Sequence, residues 1–305
     1  MNIMQFSKEL TDEIMTIQHN YESRYPLAER FRTDDLKNPL LNKRRNILLA
    51  VQGDKVIGFS KFLARQNFTK KYFHRVWLDI KVLDGEDRDT MNSLLEASIP
   101  LIRDSTSNFF RAAGTRICVR THQSETEMET FFADNGFSHI FDFIYMERDL
   151  NEEITDIPFP EGIHLRLWRP SKEPEMLEYL RAEQSCFQDS PLEYKYLHYF
   201  FHRPEWKRNG VLLTAFDKSD DIVGSVMMYP ENEREYYTEE VFVMKKWRNM
   251  GIAKALMARA LSYLKSRNAE SALLSVTSDR TSALKIYTDS GYSTTLTRKV
   301  LAKTI

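Results

Sequence analysis

The sequence predicts an α/β (α+β) chain built as two tandem copies of one strand-and-helix unit. Three observations predict it. Short apolar runs rich in Val, Ile, Leu and Phe alternate with stretches whose apolar residues recur at spacings of three and four, the marks of buried strands and amphipathic helices. The order of these elements in the first half is met again in the second, which is the signature of an internal repeat. Between the halves lies Asn151 to Glu161, NEEITDIPFPE, an acidic segment with two prolines and few apolar residues, the composition of a linker. Two domains, 1–155 and 156–305, are the simplest account.

The elements follow in order. Residues 7–22, SKELTDEIMTIQHNYE, read as a helix with Ser7 as N-cap and Leu10, Ile14, Met15 and Ile17 as its apolar positions. Asn46–Val51 and Lys55–Phe62 read as strands flanking Gln52-Gly53-Asp54, a hairpin turn. Tyr72 to Val82 alternates as a further strand. A helix over 87–103, a strand over 115–120, a helix over 125–135 and a strand ending near Tyr145-Met146-Glu147 complete the first half. The second restarts at Gly162–Trp168, with helices near 173–186 and 192–201. Val211–Phe216 and Ile222–Met228 then flank Asp217–Asp221 as another hairpin.

The stretch Glu239 to Leu264, EEVFVMKKWRNMGIAKALMARALSYL, carries the chemistry. Val241-Phe242-Val243-Met244 reads as a mostly buried strand. A basic turn, Lys245 to Gly251, leads into a helix with Ile252, Ala253, Leu256, Met257, Ala260, Leu261 and Leu264 on one face. A helix N-terminus has unpaired N–H groups and partial positive charge, so it holds phosphate well. Gly251 lacks a Cβ and lets an anion approach the backbone. Further on, Ala269–Val276 reads as a strand and Asp279–Ser290 as a helix ended by Gly291.

Together these units resemble the Gcn5-related N-acetyltransferase (GNAT) superfamily. Val241 and Val243, then Arg248, Gly251 and Ala253, fit its V-x-V strand and [RQ]-x-x-G-x-[GA] loop. Arg280 to Tyr292, with Ala283, Tyr287 and Gly291, fits N-x-x-A-x-x-x-Y-x-x-x-G-[FY], except that Arg280 stands where the family often has asparagine. The resemblance implies two tandem GNAT-like domains, each with a mixed, mainly antiparallel central sheet flanked by helices, a layout similar to that of mycothiol synthase. It implies an acetyl-CoA-dependent N-acetyltransferase acting on a primary amine of a small molecule or peptide. The pantetheine arm is expected to bond the backbone of Val241, Phe242 and Val243. The pyrophosphate is expected on the amides of Arg248, Asn249, Met250, Gly251, Ile252 and Ala253, with Lys245, Lys246 and Arg280 as candidate phosphate partners. Tyr287 is expected to protonate the departing thiolate, its phenol lying near an alkyl thiol in unperturbed pKa. For the proton of the attacking amine the candidate is Glu239, which alternation places on the face of Tyr237, Val241 and Val243, opposite Glu240; a bound water is the alternative. Acceptor contacts are expected from Tyr179–Phe201 and Tyr292–Ile305.

The two copies differ where chemistry is concerned. Registering Val82 on Val243 sets Asp87 on Arg248 and Thr90 on Gly251. The loop Leu83-Asp84-Gly85-Glu86-Asp87-Arg88-Asp89 carries four carboxylates and one arginine, which repel a pyrophosphate. Registering Gly136-Phe137 on Gly291-Tyr292 sets Phe132 on Tyr287. The first copy is therefore expected to keep the fold without binding cofactor, leaving the second as the catalytic one.

Composition supports a water-facing globular chain, 42% hydrophobic and 29% charged with a formal net charge of −1. Near-neutral charge argues against broad nucleic-acid or membrane binding, and Lys43-Arg44-Arg45 and Lys70-Lys71 are short solvated runs. No apolar signal core opens the sequence, so a cytoplasmic protein, monomer or homodimer, is the expectation. Cys118 and Cys186 read as reduced core thiols. Cys186 lies far in sequence from the two signatures, so direct attack in a ternary complex is expected rather than an acyl-enzyme. His198 and His202 lack a third ligand nearby, so no metal is expected. The competing reading is a catalytically silent acetyl-CoA-binding or protein-interaction module.

Overall fold

A computed structural model describes residues 1–84 and 87–305. Gly85 and Glu86, two of the seven loop residues singled out above, lie outside the described residues. The chain divides into two units, Met1–Asp142 with Arg298–Ile305, and Phe143–Thr297.

The first unit begins with β1 (Asn2–Gln5), α1 (Thr11–Arg24), β2 (Ile47–Gln52), β3 (Lys55–Arg65) and β4 (His74–Val82). It continues with α2 (Arg88–Thr106), β5 (Thr115–His122) and α3 (Thr126–Asp134). The first helix starts later than expected. A 3₁₀ turn, Lys8–Leu10, precedes it, and Ser7 caps nothing because its hydroxyl is taken by Glu9. β1 was invisible in the sequence, a short edge strand that pairs with β2. The β2–β3 hairpin closes on Gln52↔Lys55 as its turn residues demand.

Strand β6 (Ser138–Asp149) leaves the first unit and enters the second. There follow β7 (His164–Trp168), α4 (Glu173–Cys186), α5 (Tyr194–Phe201) and α6 (Pro204–Asn209). Then come β8 (Val211–Phe216), β9 (Ile222–Pro230), β10 (Glu235–Val243), α7 (Ile252–Ser266), β11 (Ser271–Thr277) and α8 (Thr281–Asp289). The last strand, β12 (Ser293–Thr304), runs back into the first unit.

Each unit has one mixed, mainly antiparallel sheet. In the first, β1-β2-β3-β4 are antiparallel neighbours, β4 and β5 are parallel, and the C-terminal half of β12 pairs antiparallel with β5, Arg298↔His122 to Thr304↔Arg116. In the second, β7-β8-β9-β10 are antiparallel, β10 and β11 are parallel, and β11 pairs antiparallel with Phe143–Asp149 of β6. In each unit the strand at the end opposite β1 or β7 therefore comes from the other half of the sequence. A division at residue 155/156 keeps both strands with their own halves; the units instead take 143–155 into the second and 298–305 into the first. Strand periodicity names which face a residue occupies but not which neighbour it pairs with, so this exchange is invisible to a pattern reading.

Both sheets are packed on both faces. In the first unit, α2 and α3 bury Met91, Leu94 and Phe131 with Val76, Ile117 and the tail residue Leu301, while α1 sets Ile14 and Ile17 against Leu49 and Phe59. In the second, α7 and α8 cover one face with Leu256, Leu261 and Tyr287; α4, α5 and α6 cover the other with Tyr179, Phe201 and Trp206. Among the described residues no helix is long and apolar enough to cross a membrane.

The structural registers of the two copies agree at the strand and disagree at the loop. Gly58 faces Val82 as Gly224 faces Val243. Yet five residues, 83–87, join β4 to α2, whereas eight, 244–251, join β10 to α7. The helix starts that correspond are Asp87 and Gly251, so the ungapped match of Thr90 with Gly251 does not hold. Asp87 caps α2, accepting from the Thr90 amide at 3.1 Å and the Thr90 hydroxyl at 2.5 Å.

Polar charge is buried inside the first unit. Asp79 lies between Lys81 at 2.8 Å and Lys61 at 3.1 Å. Burial alone would raise its carboxyl, but the two lysines outweigh that and hold it far below the usual carboxylate range. With the folded value depressed, the pair's stabilisation is present above the ordinary carboxylate range and is lost as pH falls towards the folded value. Asp79→Asn leaves two buried ammonium groups unpaired and is expected to cost about 3–5 kcal/mol; a urea midpoint that does not move would refute this account.

Candidate active site

The second unit opens between β10 and β11. Their parallel pairing runs from Glu235↔Ser271 to Tyr237↔Leu273 and ends there, although β10 continues to Val243 and β11 to Thr277. On its other side β10 carries a bulge between Glu239 and Phe242, where Glu240 adopts φ 47°. A non-glycine residue there is strained, and such strain collects at functional sites.

The bulge overturns one expectation. Strict alternation sets Glu239 with Val241 and Val243. In the structure Tyr236 and Val243 lie in one core and Phe242 in the other, so the phase shifts by one residue across the bulge. Glu239 therefore shares the face of Phe242, where it accepts from the Tyr229 hydroxyl at 2.7 Å and the Ser275 hydroxyl at 3.5 Å.

Past the bulge the chain turns into α7. A 3₁₀ turn, Lys245–Trp247, is tied back by Arg248, whose Nε donates to the Val243 carbonyl at 3.0 Å. Asn249 (φ 63°) and Gly251 (φ 78°) are left-handed, and no side chain caps the helix that starts at Ile252. A Cβ on Gly251 would meet nothing within 4 Å, so glycine is there for its backbone angle and for the open space above it. The first amides of α7 are thus free of side-chain competition.

A cleft of about 510 Å³ lies along this corner. Val241, Phe242 and Val243 line it from β10; Arg248, Asn249, Gly251, Ile252 and Ala253 from the loop and α7; Arg280 and Tyr287 from the start and second turn of α8. Glu239, Lys245, Lys246 and Met250 do not line it. Met250 points outward, 47% exposed, and Glu239 stands on the neighbouring face. Lys246 pairs with Asp217 at 3.4 Å, away from the lining. Arg280 is engaged otherwise than expected: it grips Asp189 with two contacts of 3.0 Å and lies over the Phe187 ring. The Tyr287 phenol does not match a thiol in pKa. Burial pushes it far above its ordinary value, Arg280 pulls it back, and Glu240 and Glu239 add to the rise.

Several lining residues carry no sequence signal. Trp247 contributes a buried indole N–H without a partner, a donor waiting for an acceptor. Lys254 lines the cleft while pairing with Asp289 at 2.7 Å. Cys186, expected far away, lines it too, its Sγ 3.6 Å from the Val243 carbonyl, because α4 ends over β10. His198 and His202 stack at 4.2 Å. Among the described residues no group of three or more His, Cys, Asp or Glu is placed to hold a metal.

A sheet that opens beside an uncapped helix start leaves both a strand edge and a set of amides for a ligand. Residues 174–292 match the Acetyltransferase (GNAT) family; that part of the chain is a domain of this family, and the chain is an acyltransferase of the N-acetyltransferase type. The fold of the whole chain is similar to that of a GCN5-related N-acetyltransferase from Sphaerobacter thermophilus, with TM-score 0.74 and 18% identity over 99% of this chain and 95% of that one. It is also similar to a tandem GNAT protein from the clavulanic acid biosynthesis pathway, with TM-score 0.66 and 12% identity over 99% and 98% of the two chains. The glucosamine N-acetyltransferase region of a fungal multi-domain β-N-acetylglucosaminidase gives TM-score 0.70 and 15% identity, covering 99% of this chain and 38% of that one. No curated protein sequence matches. Members of the family generally use acetyl-CoA, and the uncapped amides, the orphan indole and the apolar strand edge fit such a ligand.

The opening depends on close packing behind β10. A Cβ on Gly224 would come 2.6 Å from the Phe242 carbonyl and 3.1 Å from Leu256. Gly224→Ala is expected to destabilise the chain by about 2–3 kcal/mol, read as a lowered urea midpoint; unchanged stability would mean that β9 moves freely.

Proposed function

We propose that this chain transfers an acetyl group from acetyl-CoA to the primary amine of a small molecule or peptide, by direct attack within a ternary complex, using its second unit. The observation that carries the reading is the parallel pair that parts after Tyr237 beside an uncapped helix start, with Tyr287 in the resulting cleft. Acetyl-CoA, when bound, supplies the activated acyl group. The strand edge at Val241–Val243 would take its pantetheine amides, and the amides from Asn249 to Ala253, with the Trp247 indole, its phosphates. Arg248 shapes this loop through Val243 and so acts on the ligand by holding the amides in place.

Glu239 would take a proton from the acceptor's ammonium, directly or through a water, and so leave the neutral amine that attacks the acetyl carbonyl. The Tyr229 and Ser275 hydroxyls hold its carboxylate ready. Tyr287 would hydrogen-bond the departing sulfur and return a proton to it. Its raised pKa keeps it a donor throughout the neutral range, and part of that rise comes from Glu240 and Glu239. A proton on either carboxylate removes part of that repulsion, so accepting the amine's proton makes Tyr287 a better acid.

The first unit would bind no cofactor. Asp87 occupies the start of α2 with a carboxylate. Glu125 holds the position of Arg280, its carboxylate bonded to the Tyr21 hydroxyl at 2.7 Å and the His122 amide at 2.8 Å. Phe132 replaces Tyr287.

Gly251→Val imposes a β-branched residue on a left-handed position and fills the space above the loop. Acetyl-CoA affinity measured by calorimetry is expected to fall at least about tenfold, the equivalent of 1.4 kcal/mol; unimpaired binding would remove the loop from the site. Tyr287→Phe is expected to lower kcat by about 10²-fold with little change in acetyl-CoA affinity. Initial-rate lines that intersect as both substrates are varied support direct attack, whereas parallel lines would point to an acyl group on Cys186.

A further inference from the structure

The register of the second sheet sets an acidic, tyrosine-rich track on the face that bears Glu239. Glu239 and Ser275 share its first row, with Tyr145 opposite Ser275. One row on, Tyr229 faces Tyr237, Tyr237 faces Leu273, and Leu273 faces Glu147. The next row is Glu235, Ser271 and Asp149. Two residues along a strand advance about 6.7 Å, so the rows lie roughly 7 and 13 Å from Glu239.

The far row opens into a second cavity of about 510 Å³, lined by the carboxylates of Glu147, Asp149, Glu235 and Glu270 against the single guanidinium of Arg234. Arg234 is spent on Glu270 at 2.6 Å. Asn232 meets Glu235 at 2.5 Å, and Asn151 meets Asp149 at 2.9 Å; both are neutral and leave the negative charge in place. Ser271 lines the same cavity, 6% exposed, and its hydroxyl has no partner. Such a group in an acidic cavity calls for a ligand that donates hydrogen bonds. Between the cavity and Glu239, the rings of Tyr229 and Tyr237 stack at 5.1 Å and offer π faces suited to an alkylammonium. Burial, then Glu231 and Glu239, push the Tyr237 phenol well above its ordinary pKa, so it stays a neutral ring in this track.

We propose that the acceptor is a linear primary amine with a second cationic centre, its reacting end at Glu239 and its second charge at the Glu147, Asp149 and Glu235 cavity. This rests on the transfer reaction proposed above and adds the chemistry of the acceptor. A carboxylate at the far end would meet the three like charges of Glu147, Asp149 and Glu235, and an uncharged end would leave them uncompensated.

The test uses the full chain with acetyl-CoA and three acceptors of equal length: octane-1,8-diamine, octylamine and 8-aminooctanoate. Free thiol is followed, and acetyl-CoA binding is measured separately by calorimetry. The diamine is expected to exceed octylamine in kcat/KM by about tenfold, with 8-aminooctanoate lowest and the preference shrinking as salt rises. Glu147→Gln and Glu235→Gln are each expected to narrow the diamine-to-octylamine ratio severalfold. A dilysine peptide run alongside separates a free amine from a lysine-bearing chain; preference for either over octylamine supports the assignment. Octylamine or 8-aminooctanoate matching the diamine would overturn it, as would bound acetyl-CoA with none of these acceptors acetylated. Failure to bind acetyl-CoA would instead overturn the transfer reaction itself.

Discussion

The second unit depends on a ladder that stops. Parallel strands need evenly spaced hydrogen bonds, and β10 can supply them to β11 only as far as Tyr237. Beyond that point the bulge at Glu240 re-aims β10, and its edge no longer faces a partner. Backbone groups left in this way must be satisfied by something else. The cleft, the apolar strand edge and the uncapped helix start are consequences of that one interruption. Gly224 makes the interruption rigid, since its lack of a side chain lets β9 press against the Phe242 carbonyl from behind.

The first unit is an internal control written in the same fold. Its parallel pair also ends early, at Trp77↔Cys118, while β4 runs on to Val82. What lies beyond differs. The continuing strand carries Asp79 and Lys81, locked with Lys61, and the ammonium of Lys81 stands 4.0 Å over the Tyr21 ring. Tyr21 in turn donates to Glu125. A closed polar network thus replaces an open edge, and Asp87 supplies internally the negative charge that a ligand would bring to a helix start. The two units show how little backbone change separates a cleft from a filled core.

Much of this was legible in the sequence, for physical reasons. Helical spacing located α2, α4 and α7, because burial on one face is written in every third or fourth residue. The loop residues Arg248, Gly251 and Ala253 and the helix residue Tyr287 do meet at one cleft. What escaped depends on register. A single inserted residue at the bulge reversed the face of Glu239, and nothing in the local pattern Thr238-Glu239-Glu240-Val241 announces it. The exchanged strands, the Arg280–Asp189 pair and the approach of Cys186 to Val243 are all contacts between distant segments. The three-residue shortening of the loop before α2 escaped because the register was laid down without a gap.

Arg280 shows why a charge found by motif need not act as the motif suggests. Held in two hydrogen bonds by Asp189 and stacked on Phe187, it is fixed in place before any ligand arrives. Its effect on Tyr287 is opposite to that of Glu240 and Glu239. The phenol therefore feels a permanent positive charge and two carboxylates, one of which, Glu239, accepts from the Tyr229 hydroxyl. Neutralising either carboxylate tips that balance towards Arg280 and eases proton release. In the proposed reaction, acid and base would thereby be linked through space. Glu240 itself holds the left-handed backbone of the bulge between Glu239 and Phe242, so the irregularity that breaks the β9–β10 register also sets the faces on which the neighbouring side chains stand.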